Sequence, residues 1–273
     1  MSDSEPSPAA LATSAASAGA PYRDDVLVAH QPAFLPWLGY LARLTDLRRL
    51  VLLDQVQFSD RGWQHRNYIR GTRGDAQLLG VPVRRRFGQP IHQVRTAPEA
   101  WQSRHWRTLT QVYGRAPYWP EWAEPLQAIY QRDWEYLIDL NEALLRLLLD
   151  GFGLQVALIR ASTLAPAGHK NAMLIDLCRR TGTRVLRTGT GATGYLDVPL
   201  LAQAGISVEI ATYQSSPPSD ATSSPGTGGS AINARTSQAV PLSALDALLH
   251  HGPNARHLLT TGARLRPWTG VEA

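Results

Sequence analysis

The sequence contains one cysteine, Cys178, and one lysine, Lys170, in 273 residues. A single thiol excludes an internal disulfide and any zinc site built on several cysteines, and it fits a reducing compartment. No apolar run approaches the roughly 18 to 20 residues that cross a bilayer. The amino-terminal stretch MSDSEPSPAALATSAASAGAP has neither the basic start nor the apolar segment of a secretory signal. A cytoplasmic location with no membrane partner is the expectation. The eight histidines include no pair four residues apart and no His/Asp/Glu spacing of a metal site, so no metal is expected. No motif specifies a cofactor.

Arginine, by contrast, is abundant. It supplies 26 of the 27 basic side chains and leaves a net charge of +5. The densest run, Arg84-Arg-Arg86, suits an anionic partner, but charge runs are more often solvated loop faces. No RNA-binding motif accompanies it, which argues against nucleic acid as a partner. Hydrophobic residues make up 44% of the chain, enough to bury a core.

Residues 1–22 are mostly Ser, Ala and Pro without hydrophobic periodicity. Such a stretch buries too little to offset roughly 1 to 2 kcal/mol of ordering entropy per residue, so a disordered leader is expected. Residues 215–238 have the Ser/Gly/Pro composition of a flexible insertion, and 261–273 read as a tail. A single domain over 23–260 remains. Within it strand and helix signals alternate: strands at Val26 to His30, Leu50 to Leu53, Gln155 to Arg160, Arg184 to Arg187 and Ile206 to Ile210, with helices between them. The turn signal Gly71-Thr-Arg-Gly-Asp75 predicts a hairpin added to the sheet, and helices near Glu99 to Tyr113, Glu121 to Gln131 and Trp134 to Asp150 form an insertion. The expected fold is α/β: a mostly parallel sheet in Rossmann-like layers, with the added hairpin and the helical insertion.

Ligands of parallel sheets collect beyond the carboxyl ends of strands. Polar clusters fall there: His30-Gln-Pro-Ala-Phe-Leu-Pro-Trp-Leu-Gly-Tyr40, then Asp54-Gln-Val-Gln57, then Thr188-Gly-Thr-Gly-Ala-Thr-Gly-Tyr195. Glycines such as Gly189 and Gly191 permit close backbone approach to a phosphate or an oxyanion, although neither the P-loop ending nor the dinucleotide fingerprint is present. The strand Trp63 to Ile69 places Gln64 and Arg66 on one face and Asn67 on the other, and the Arg66 fork suits an anionic group. His105 shares a helix face with Trp101, and Tyr113 lies two turns beyond. His30 and His105 are the candidate general bases, because imidazole titrates near neutral pH. The expected binding wall comprises Gln31, Trp37, Tyr40, Asp54, Gln57, Gln64, Arg66, Asn67, Tyr113, Gly189, Gly191 and Tyr195. The expected partner is an anionic small molecule, with a carrier or pathway enzyme as a further one.

These motifs occur in a fixed order: His30-Gln-Pro-x-x-x-Pro-Trp-x-Gly-Tyr40, Leu53-Asp-x-Val-Gln-Phe58, Trp63-Gln-x-Arg-Asn67, Trp101-x-x-x-His105, Tyr113-x-x-Ala-Pro-Tyr118, Gly189 with Ala192-x-x-Tyr-Leu-Asp197, and Leu242-Ser-x-Leu-Asp-x-Leu-Leu249. Over about 26–252 the chain resembles the WbqC-like family of bacterial proteins. The resemblance implies a cytoplasmic transferase accompanying cell-surface polysaccharide or specialised-metabolite biosynthesis. Departures from the pattern are Asp60 in place of a lysine, His65 in place of an asparagine and Thr188 in place of a serine. The first motif also has the outline of the nucleotidylyltransferase His-x-Gly-His signature, with Trp37 and Tyr40 at the histidine positions. Neither side chain stabilises a transferring phosphoryl group as histidine does, so adenylyl transfer by this motif is not expected. The alternatives to the transferase are a diverged nucleotidylyltransferase-like enzyme or a non-catalytic ligand-binding or scaffold protein of the same pathway.

Overall fold

The structure, a computed structural model, describes residues 22–214 and 240–270. In chain order the elements are β1 (Val26–His30), α1 (Leu38–Leu41) continuing as a tight turn through Ala42–Leu44, β2 (Arg49–Leu52), β3 (Arg66–Arg70), β4 (Ala76–Gly80), β5 (Val83–Arg84) and β6 (Arg95–Thr96). Helices α2 (Trp101–Tyr113), α3 (Trp119–Gln131) and α4 (Leu137–Gly151) follow. The chain then returns to the sheet through β7 (Ala157–Arg160), α5 (Ala161–Leu164), α6 (Lys170–Thr181), β8 (Val185–Gly189), α7 (Val198–Gln203) and β9 (Ser207–Tyr213). After the second described stretch begins, α8 (Ala244–His251), α9 (Ala255–Gly262) and β10 (Ala263–Trp268) complete it.

Six strands form the main sheet in the order β10-β9-β8-β1-β2-β7, all neighbours parallel except the β10–β9 pair. The α/β fold with a mostly parallel sheet is therefore as expected. Its central strands are short apolar runs because both faces are covered. Val26 and Val28 point into one core with Leu50, Leu52 and helices α1, α4 and α8. Leu27 and Val51, one residue out of phase, point into the other with Leu174, Leu177, Cys178 and Leu201 from α6 and α7. Cys178 is thus a fully buried packing residue. Local chemistry fixes the helix ends: Asp197 Oδ1 accepts from the Leu200 amide (3.0 Å) at α7, Ser243 Oγ from the Leu245 amide (3.2 Å) at α8, and Gly182 closes α6 at φ +68.

Two expectations change. The hairpin is present, but β3 and β4 form a separate two-stranded sheet instead of extending the main one. The edge of β2, the strand before the hairpin, is taken by β7, through the pairs Val51↔Ile159 and Leu52↔Arg160. The segment expected as a tail also contains a strand: β10 pairs with β9 from Ala263↔Tyr213 to Trp268↔Val208. Its exposed Arg264 and Arg266 and its Pro267 weaken the strand signal and are the residues an edge tolerates. The expected leader, apart from Tyr22, and the expected insertion lie outside the described residues.

Candidate functional site

Strands β8, β1 and β2 lie side by side and run parallel, so His30, Asp54 and Gly189 reach the same edge of the sheet. The chain leaves β1 to build β2 and β7 on one side, then returns to build β8 and β9 on the other. The β1/β8 boundary is where the connections diverge, the usual position for a ligand crevice in such a sheet.

The loop after β1 is held from outside. Asn67 Nδ2 donates to the Phe34 carbonyl (3.3 Å) and the Leu35 carbonyl (2.8 Å), fixing a turn in which Leu35 has φ +44. Gln64 Nε2 donates to Gln31 Oε1 (2.6 Å), while the Gln64 carbonyl accepts from Asn141 Nδ2 (2.7 Å). Gln64 and Asn67 therefore position the loop. Trp37 packs edge-on to Tyr213 (5.7 Å between centroids) and lies across Gly39, where a methyl group would collide with the indole.

At the boundary itself stand His30, Tyr40, Arg43, Gly189 and Tyr195. The His30 ring meets Tyr40 edge to face at 4.6 Å. Its Nδ1–H donates to the Gln31 carbonyl (2.8 Å), leaving Nε2 as an acceptor. His30 retains some solvent contact, but protein packs closely around the ring, and that burial, reinforced by the Arg43 charge, lowers its pKa to about 4. Tyr40 is buried and its hydroxyl has no hydrogen-bond partner; burial raises its pKa. Arg43 is 9% exposed, with an unpartnered Nε, and burial lowers its pKa. The Arg43 guanidinium lies against Gly189, in space that any Cβ there would occupy. Tyr195 is exposed, yet near enough for Arg43 to oppose the upward shift that burial gives its phenol. Arg43 is the residue that motif reading missed. The available signal was its i, i+3 spacing from Tyr40 on the helix after the first strand.

The structure leaves the other expected residues outside this group. Asp54 reaches the sheet edge fully buried, but its carboxylate accepts from the Ser162 amide (2.8 Å) and hydroxyl (2.5 Å) and so anchors α5. Gln57 is exposed and pairs with Pro90. His105 is buried beside Trp101 and Tyr130, behind Phe34, with Nε2–H donating to the Gly80 carbonyl (3.0 Å); burial lowers its pKa to about 4. Its helical i, i+4 spacing from Trp101 marks core packing. Tyr113 accepts from the Arg70 amide (3.1 Å) in a cluster with His250, and Arg70 is paired with Asp246 (2.8 Å). Arg66 is half-buried on β3 with its Nε unpartnered, and its charge helps burial to lower the His65 pKa. Gly191 is exposed with open space around it. Asp60, where the resemblance leads to a lysine, pairs with Arg85.

A broad cleft of about 1410 Å³ lies elsewhere, between α2, α3 and the β5–β6 ribbon, beside Trp106, Arg107 and Tyr130. It contains none of the expected residues; of the charges that line it, Arg95 pairs with Glu135 (2.8 Å). Among the described residues there is no group of three or more His, Cys, Asp or Glu side chains placed to hold a metal ion. Among them too, no helix is long and apolar enough to cross a membrane.

The WbqC-like protein family matches residues 31–224, a span that runs from the loop after β1 past β9 and includes Tyr40, Arg43, Gly189 and Tyr195. The chain belongs to the WbqC-like protein family. One relative of this WbqC-like protein is "Uncharacterized protein Rv1507c" of Mycobacterium tuberculosis, 28% identical over 186 residues, covering 67% of the chain and 80% of the relative. No solved structure matches.

Proposed function

We propose that this WbqC-like protein is a cytoplasmic biosynthetic transferase acting on an activated small molecule of acyl, aminoacyl or sugar-nucleotide type, bound where β1 and β8 diverge. Polysaccharide or specialised-metabolite biosynthesis is the pathway class, and a carrier or pathway enzyme is the natural donor of the intermediate. The observation that carries the reading is His30: neutral, tautomer-fixed by the Gln31 carbonyl, and presenting Nε2 at the carboxyl end of the central strand. There it can accept the proton of an amine or hydroxyl nucleophile as that nucleophile attacks the donor and the leaving group departs with its electron pair. Gln31, Tyr40, Arg43, Gly189 and Tyr195 form the wall around it, and Gln64 and Asn67 hold the loop.

The pKa of about 4, well below the near-neutral value on which a general base was expected, favours a second reading. So weak a base serves well as a hydrogen-bond acceptor, which suits a protein that binds and hands on an intermediate without turnover. One experiment separates the two. Small molecules that co-purify with the protein are identified by mass spectrometry, then offered with candidate nucleophiles to the wild type and to His30→Gln. A transferase shows turnover that falls by roughly 100-fold or more in His30→Gln while the ligand still binds. Undiminished turnover removes His30 from the chemistry, and binding with no turnover by either protein establishes the carrier reading.

A further inference from the structure

We propose that Arg43 and Tyr40 form an oxyanion subsite where β1 and β8 diverge, taking a phosphoryl or carboxylate group of the substrate. The proposal rests on the reading of that position as the ligand site and names the class of ligand.

Hydrogen-bond capacity goes unmet at both Arg43 and Tyr40. Among the described residues the other buried arginine is satisfied, while Arg66, whose Nε is also unpartnered, is only half-buried. Arg187, fully buried in β8, donates to Glu209 (3.0 Å), to Asp46 (2.5 and 3.0 Å) and to the Arg43 carbonyl (3.0 Å). Arg160, partly buried, is fixed by Asp139 and Glu142 at 2.6 Å each. Arg43 is more than nine-tenths buried, yet none of the ion pairs among the described residues includes it, and its Nε donates to nothing. Its titratable acid neighbours among the described residues are the phenols Tyr40 and Tyr195, with no carboxylate among them. Tyr40 adds a second buried donor without an acceptor.

Burying an arginine without a counter-charge costs stability, and a folded protein retains such a group where a ligand supplies the missing charge. Two adjacent unpaired donors call for an acceptor with negative charge, and the planar fork of a guanidinium matches both phosphoryl and carboxylate oxygens. Gly189 fits the same account: with no Cβ, it leaves the end of β8 open to the guanidinium. Arg187 acts through Arg43 by holding its carbonyl, and is a positioning residue.

The test uses the full chain with inorganic phosphate, diphosphate and acetate as probes, against chloride at equal ionic strength. Thermal stability of the wild type should rise with phosphate or diphosphate if the group is phosphoryl, and with acetate if it is a carboxylate. Arg43→Met should weaken that anion's affinity by about 10- to 100-fold. It should also melt at or above the wild-type temperature without anion, because a buried unpaired charge has been removed. A merely structural arginine predicts the reverse, a large fall in melting temperature. Tyr40→Phe removes one buried atom, keeps the ring, and should lose part of the anion response, so it carries the test if Arg43→Met does not fold. A wild type stabilised by none of the three anions, or variants that respond as the wild type does, would overturn the proposal. The anion response of the wild type is read without turnover, so failure of the transferase reading and failure of this subsite are separately visible.

Discussion

His30 and His105 have similar pKa values for different reasons. Burial dominates in both, but His105 sits among Trp101, Tyr130 and Phe34 with its one donor committed to Gly80, whereas His30 keeps an unoccupied Nε2 at a sheet edge. The pH dependence of stability follows. Both are held near 4, below the unfolded value of about 6.5. Their contribution to stability is fully present above pH ~6.5 and is lost as the pH falls toward 4, because the unfolded chain then binds protons that the native state refuses. For His105, 5% exposed, this is worth up to ~3 kcal/mol. Urea unfolding at pH 7 and at pH 4 should show a drop in stability for the wild type and a clearly smaller drop for His105→Gln, which keeps a donor for Gly80. Equal drops would assign the effect to other groups. In the sequence both histidines stand in polar-aromatic motifs and read alike. What separates them is the partner of each ring nitrogen, which depends on contacts 25 residues away in one case and on the adjacent carbonyl in the other.

The hairpin of β3 and β4 serves the crevice without lining its centre. Gln64 and Asn67, at its first strand, hold Gln31, Phe34 and Leu35, and so set the path from His30 to Tyr40. Asn67→Ala would leave two buried carbonyls without that donor and should destabilise the protein by ~1 to 3 kcal/mol, with weaker ligand binding as the loop loosens. A stability within ~0.5 kcal/mol of wild type would mean that the loop holds its turn without Asn67. At this scale much was legible. Val26 to His30 and Leu50 to Leu53 read as strands because a strand covered on both faces is apolar throughout, and Gly71 to Asp75 marked the hairpin turn. The docking of that hairpin was not legible, since it depends on β7 claiming the edge of β2 through pairing across more than a hundred residues. Nor was β10, where Arg264, Arg266 and Pro267 mask a strand that only β9 stabilises.

Over the described residues, several arginines tie separate elements together. Arg23, Arg187, Glu209 and Asp46 link the start of the chain, β8, β9 and the turn after α1, and Arg160 ties β7 to α4. Arg43, buried and without an ion pair among the described residues, stands at the divergence of the sheet's connections. That convergence of topology, an acceptor on His30 and unmet donors on Tyr40 and Arg43 is the basis for placing the ligand. The broad cleft between α2 and α3 is the alternative location, but it contains none of His30, Tyr40, Arg43 and Gly189. The most direct test is a crystal structure of the protein with its co-purified small molecule retained. The account predicts ligand density between His30, Tyr40, Arg43 and Gly189, with an anionic group on the guanidinium. Density seated beside Trp106 and Tyr130 in the other cleft, with the β1/β8 crevice filled only by solvent, would contradict it.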